Sequence, residues 1–259
     1  MSCGECMRIK AFLSITCLAL PLIFYSNCSK FAATKSIDEV QSNNGQGLTT
    51  DLVPCVLSPG ISARPSTFAD ITAIINSLAK PVSLSCFLRV LERPLTIYAS
   101  ESPLSAQPSP DSRSPRVFIF NENLIMSVVL SGRAANYLEL SELVDSQRSV
   151  KGEIKFPVLV DLPTAAPYQQ VVDSTGARSR CTLCHQNEMV HTETTSTLAF
   201  VSGTLQPKPS YKVLIADLER DRGRCNEQTE SQRCSMLSGI FGQGEVTEGA
   251  FPSDMPVVP

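Results

Sequence analysis

Apolar residues at Phe68, Ile71, Ile74, Ile75 and Leu78 recur at helical spacing between Ser66-Thr67 and Pro81. The spacing predicts a helix over residues 68–80 with one buried face, capped at Ser66-Thr67 and stopped by Pro81. Residues 82–91 form a dense apolar run around Cys86, and residues 95–99 have the composition of a strand. Residues 101–115 are rich in Ser and Pro and predict a loop. Strand-like runs follow at 116–120, 124–130, 137–143 and 150–160. The third departs from a strict period of two, because Leu138, Leu140 and Leu143 do not all fall on one face. The fourth alternates better and puts Val150, Gly152, Ile154 and Phe156 together. Beyond Pro167, residues 168–172 predict another strand leading into a polar loop at 173–180. Apolar runs return at 197–205 and 211–218, a short helix is expected over 234–241 ahead of Gly242, and residues 244–259 form a proline-containing tail. Short β-runs between turn residues predict an α+β, β-dominated fold, an antiparallel sandwich-like domain with one or two short helices.

The N-terminal region has a different character. In residues 7–28, Arg8 and Lys10 precede an apolar run over 11–25, and small polar residues then lead to Cys28. This is the layout of a secretory signal, and the run is short for a membrane span. Met7 is placed as a start, with Met1 to Cys6 as an extension. Tyr25-Ser26-Asn27-Cys28 resembles the end of a bacterial lipoprotein signal, which implies lipidation of Cys28. The Ser-, Asn- and Gly-containing stretch 29–50 suits a tether. The organisation expected is a leader at 1–28, a tether at 29–50 and one β-rich domain over 51–259. The protein is then exported to the periplasm or outer envelope and held there by lipid. Ordinary cleavage near Ala32-Ala33 is the other route.

Composition matters chiefly through its cysteines. The 259 residues hold ten cysteines and two histidines, and the net charge is −3 without a basic stripe, so no nucleic-acid partner is expected. Removing the leader discards Cys3, Cys6 and Cys17, and lipidation uses Cys28. Of the six left, Cys225 and Cys234 bracket a short polar loop and Cys55 and Cys86 flank the first helix, which suggests two disulfides.

Cys181 and Cys184 stand apart in Cys181-Thr182-Leu183-Cys184-His185. Two thiols at this spacing can add across two porphyrin vinyl groups, and the adjacent imidazole can bind iron. The five residues resemble the attachment motif of c-type cytochromes. The resemblance implies one haem c, thioethers at Cys181 and Cys184, and His185 as the proximal ligand in a loop of the domain. Candidate distal ligands are Met255, which resembles the Met-Pro pair of small cytochromes c, then His191 and Met236. An unliganded distal side is the remaining possibility, suited to gas binding or peroxide chemistry. Met126 lies in an apolar strand and is assigned to the core.

The function implied is an exported monohaem c-type cytochrome-like lipoprotein in electron transfer or haem-based sensing, with an unidentified redox partner and more plausibly a carrier or binder than an enzyme. Three alternatives remain. Cys181 and Cys184 could form a disulfide beside an incidental histidine. Cys181, Cys184, Cys225 and Cys234 could hold zinc through four thiolates, which an oxidising compartment disfavours. The domain could also be a disulfide-stabilised envelope module that binds partners without haem. The mixed charges over 217–224 are expected to form a solvated surface.

Overall fold

The computed structural model describes residues 54–258 apart from 104, 106 and 192–197. Cys28, the leader and the tether lie outside the described residues. Helix α1 is Phe68–Ser77, begun by a capping box: Thr67 accepts from the Asp70 N–H and Asp70 accepts from the Thr67 N–H. Two donors at the helix start are thereby satisfied. Thr67→Ala removes one of them and is expected to lower stability by about 1 kcal/mol. Chemical denaturation would measure it; no change would mean that the Asp70 half of the box suffices.

The apolar run around Cys86 is a second helix, α2, Leu84–Val90, capped by Ser83. Five strands then lead into the middle of the sheet: β1 Leu95–Ser100, β2 Arg116–Asn121, β3 Leu124–Val129, β4 Tyr137–Asp145 and β5 Arg148–Lys155. The expected strand over 168–172 is instead a short helix, α3, Ala166–Gln169. Pro167 sits in its first turn, where a fixed φ and a missing N–H suit a helix start. The Gln169 and Gln170 N–H groups bond back to Ala165 and Ala166 at 3.0 and 3.2 Å.

The chain continues through β6 Met189–His191, β7 Ala199–Gly203, β8 Lys212–Val213, α4 Ile215–Arg222 and α5 Glu227–Phe241. Helix α5 begins seven residues earlier than its apolar pattern suggests, because Asn226 caps it. The expected tail contributes β9, Val246–Glu248.

The strands form a nine-stranded sheet in the order β6-β7-β5-β4-β3-β2-β1-β8, with β9 also paired to β1. Pairing is antiparallel except between β1 and β9. This is an α+β, β-dominated fold, as the β-runs imply. Alternation divides the sheet into two unlike faces. On the first, Ile97, Ile119, Met126, Leu138, Leu140 and Ile154 join one core with residues of α1, α2 and α5. Met126 is therefore core, and so is Met236 from α5. Close approach between α2 and α5 needs Gly239, where a Cβ would lie 2.9 Å from the Ser85 carbonyl.

The second face is divided along its length. At one end Tyr98, Phe118, Ile125 and Met255 cluster, and the ring of Phe251 stands edge-on to Tyr98, Phe118 and Phe120. At the other end it is polar and roofed by loops. Gln107, 1% exposed, donates to the Tyr137 carbonyl and accepts from Ser127. Arg116 bonds Ser127 and the Glu139 carboxylate.

Cys55–Cys86 and Cys225–Cys234 are disulfides, the two pairs that cysteine spacing suggests. The first ties the entering chain to α2, and the second joins the turn after α4 to α5. The run 217–224 is only partly a solvated surface. Arg220 and Asp217 pair in the open, but Asp221 bonds Arg233, whose side chain is 3% exposed.

Candidate functional site

The motif occupies the loop between α3 and β6, over the polar half of the second face. A 3-10 turn, Arg180–Leu183, shapes it, with the Ser179 hydroxyl accepting from the Cys181 N–H at 3.1 Å. Glu188 fixes Ser179 in turn, taking its N–H at 2.8 Å and also its hydroxyl. Arg180 anchors the turn to the sheet through Glu153 at 3.2 Å and through the Gln170 carbonyl. The His185 N–H closes the turn on the Cys181 carbonyl at 2.8 Å.

Gly203, at the end of β7, docks the loop twice. Its N–H donates to the Gln186 carbonyl at 2.9 Å, and its carbonyl lies 2.7 Å from His185 Nδ1. With the proton on Nδ1, that contact is a hydrogen bond and the Nε2 lone pair is available to a metal. Metal-binding histidines are commonly oriented in this way. A Cβ on Gly203 would approach the Gln186 carbonyl to 3.2 Å, so the close docking favours glycine there.

Beneath the loop, Ser149 and Lys151 of β5 lie on the face opposite Val150 and Gly152. Lys151 is 4% exposed, and its Nζ donates to Ser149 Oγ at 2.7 Å. Burial lowers the ammonium pKa to about 8, against a partial upward pull from Cys181 and Glu139. Burial pushes the Cys181 thiol up to about 11, with Lys151 opposing it. Burial also holds His185 well below its ordinary range, reinforced by Lys151. His185 is therefore a neutral imidazole near pH 7, the form that binds metals. Burial and Glu139 raise Glu153 to about 7, while Arg180 opposes them. Ser202, opposite Ser149 on β7, has a fully buried hydroxyl without a partner.

The two motif cysteines differ. Cys181 carries a free thiol, whereas Cys184 is engaged in a disulfide. A Cys181–Cys184 bond is therefore not what forms. The four-thiolate zinc site is not assembled either, since Cys225 and Cys234 are bonded to each other. Among the described residues no cluster of three or more His, Cys, Asp or Glu side chains could hold a metal ion.

The structure separates the three candidate distal ligands. His191 pairs with Ala199, whose side chain belongs to the helix-side core, and it acts on Glu142 on that same face. His185 instead lies with Lys151 on the second face. Met236 is in the helix-side core. Met255 alone shares the second face with His185, and it is packed among Tyr98, Phe118 and Ile125.

The residues present fit a haem in part. His185 is held with one ring nitrogen available, Cys181 is a thiol, and the loop and its continuation expose Leu183, Met189, Val190 and Leu198, each more than 40% exposed. Such a run of exposed apolar side chains is what a porphyrin edge or a partner would cover. Cys184 fits only as a reduced thiol. Sequence reasoning missed Lys151, Ser149 and Ser202, whose alternation with Val150 and Val201 suggests an outward-facing polar row.

Fold and site thus define a β-dominated α+β domain with a CxxCH loop docked on the polar face of its sheet. No protein-family model matches the chain, and no curated protein or solved structure shows significant similarity to it.

Proposed function

We propose that the chain is an exported haem-binding protein of c-type cytochrome character, carrying one haem c on the loop that contains Cys181, Cys184 and His185. The observation that carries this reading is the His185 side chain, oriented by the Gly203 carbonyl at 2.7 Å with Nε2 left for iron, inside a CxxCH sequence. Attachment would use the Cys181 and Cys184 thiols, each sulfur adding to one vinyl carbon with its hydrogen passing to the neighbouring one. Both sulfurs must therefore be reduced when attachment occurs. The bound group supplies a redox-active iron; the chain supplies the imidazole, the two sulfurs and the buried Lys151 charge beneath them.

With His191 and Met236 on the helix side of the sheet, Met255 is the remaining candidate from the distal set, and it sits in an aromatic cluster. A reading with His185 as the only protein ligand asks least of the fold and favours haem-based sensing over simple electron transfer. Two disulfides are compatible with export, and no described helix is long and apolar enough to cross a membrane. Lipid attachment at Cys28 would then hold the domain at the periplasmic or outer-envelope surface.

Co-expression with a cytochrome c maturation system tests the reading. Intact mass should rise by one haem, a pyridine haemochrome spectrum should show covalent attachment, and the Cys181→Ala/Cys184→Ala double variant should lose both. An unchanged mass with Cys184 still oxidised would overturn it. That result would favour a second reading, a disulfide-stabilised envelope binding module without haem, for which the bonded Cys184 is the specific support.

A further inference from the structure

Glu139 of β4 and Glu153 of β5 stand directly opposite one another in the sheet register. Their side chains are only 22% and 17% exposed. Like charges placed this way repel, and each carboxylate is served by one arginine. Arg116 of β2 bonds Glu139, and Arg180 of the CxxCH loop lies 3.2 Å from Glu153. The other titratable neighbours are Lys151 and Lys155 on the same strand and the Cys181 thiol above, while Glu188 approaches Lys151 from the loop. Gln170, at the end of α3, is neutral.

The loop is built to move as a unit. Gly176 and Asn187, at φ 73° and 58°, occupy the left-handed region near its two ends. Between them, its attachments to the sheet are few. The Gly203 N–H donates to the Gln186 carbonyl at 2.9 Å, His185 Nδ1 lies 2.7 Å from the Gly203 carbonyl, and Arg180 reaches Glu153 and the Gln170 carbonyl. Arg180 is itself 47% exposed, so its ion pair offsets little of the cost of burying Glu153. Burial and Glu139 push the Glu153 carboxyl up to about 7, against Arg180. The closed loop therefore favours the neutral carboxyl, and hydration on opening favours the ionised one.

We infer that this loop is a proton-controlled flap: a neutral Glu153 lets it close over Cys181 and His185, and an ionised Glu153 lifts it and gives access to them. The purpose of the flap rests on the haem reading, since it carries the sulfur and imidazole that a porphyrin must reach. Opening increases with pH between the ordinary carboxyl value of 4.5 and about 7, then levels off.

The experiment is amide hydrogen exchange by NMR on the full chain without haem, from pH 5 to 8. Dividing each wild-type rate by that of Glu153→Gln at the same pH cancels the base catalysis of exchange. The Gly203 N–H reports on the flap, because opening breaks its bond to the Gln186 carbonyl. Its rate ratio should rise by about fiftyfold between pH 5 and 8, the span set by values of 4.5 open and about 7 closed. The Ile119 amide, in the middle of the sheet, should exchange more slowly throughout, which separates flap opening from global unfolding. Glu139→Gln should shrink the rise and move it to lower pH. A Gly203 ratio that stays constant with pH, or Gly203 exchanging no faster than Ile119, would overturn the inference. Either result would leave haem attachment standing, and failed attachment would leave these rates unchanged.

Discussion

Phe68→Ala is expected to destabilise the domain by about 3–5 kcal/mol, the range for truncating a large buried aromatic side chain. Phe68 is the first residue of α1, is 0% exposed, and stacks at a tilt on Tyr168 with ring centroids 5.2 Å apart. Its ring also lies over β5 at the one point where that strand has no side chain. A Cβ built on Gly152 would sit 2.6 Å from Phe68 Cε2, a distance real contacts do not reach. The helix therefore touches the sheet through a ring against bare backbone. Truncating the ring leaves a cavity that α1, pinned by its capping box, is poorly placed to fill. The reciprocal change gives a sharper test. Gly152→Ala should be destabilising alone but much milder with Phe68→Ala, because the added methyl enters the space the ring vacates. Urea unfolding of both single variants and the double variant measures that coupling. Simple additivity would mean that the two positions do not share a contact.

Much of this first face is legible in the sequence. Thr67 caps α1 as expected, although the helix ends at Ser77 with Leu78 extended, ahead of Pro81; Phe68, Ile71, Ile74 and Ile75 are all buried as their spacing requires. Val150, Gly152 and Ile154 share a face as alternation demands. Both long-range features that rest on local chemistry, the Cys55–Cys86 and Cys225–Cys234 bonds, follow from spacing. What the sequence conceals is whatever depends on distant cover. The alternate residues of β5, Ser149, Lys151 and Glu153, have the polarity of a solvent-facing row, yet Gln107 and the loop at 173–188 cover that face. No periodicity reports a roof made of irregular chain. The same limit hides the tail, whose Met255 is buried against Tyr98, Phe118 and Ile125 beside the Phe251 ring. Residues 168–172 fail for a different reason. Their apolar and polar residues would suit a strand, but Pro167 presets the backbone for a helical turn.

The roofed polar face gives the second large prediction: Lys151→Met should raise stability near pH 7. Burial lowers the ammonium from its ordinary 10.5 to about 8. In unfolded chain the group keeps the ordinary value, so between pH 8 and 10.5 the unfolded state binds more protons and stability rises with pH. Below pH 8 both states are protonated, and the folded state carries the full penalty. At about 1.4 kcal/mol per unit, the difference of about 2.5 corresponds to roughly 3 kcal/mol. Methionine fills a similar volume without the charge, although it forfeits the 2.7 Å bond to Ser149, worth about 1 kcal/mol. The net expectation is a gain of about 2 kcal/mol at pH 7 that shrinks as pH climbs through 8, vanishes at about pH 10 and turns into a loss of about 1 kcal/mol above 10.5. Glu153 runs the other way in both proteins: its carboxyl is raised from 4.5 to about 7, so its contribution is lost as pH rises across that interval. It therefore cancels from the difference between wild type and variant to the extent that the two sites are independent. Urea unfolding at pH 7, 8.5 and 10 would measure the difference. A variant less stable than wild type at pH 7 would show that the ammonium under the CxxCH loop is held by more than the Ser149 hydroxyl, and that its charge supports the loop instead of straining it.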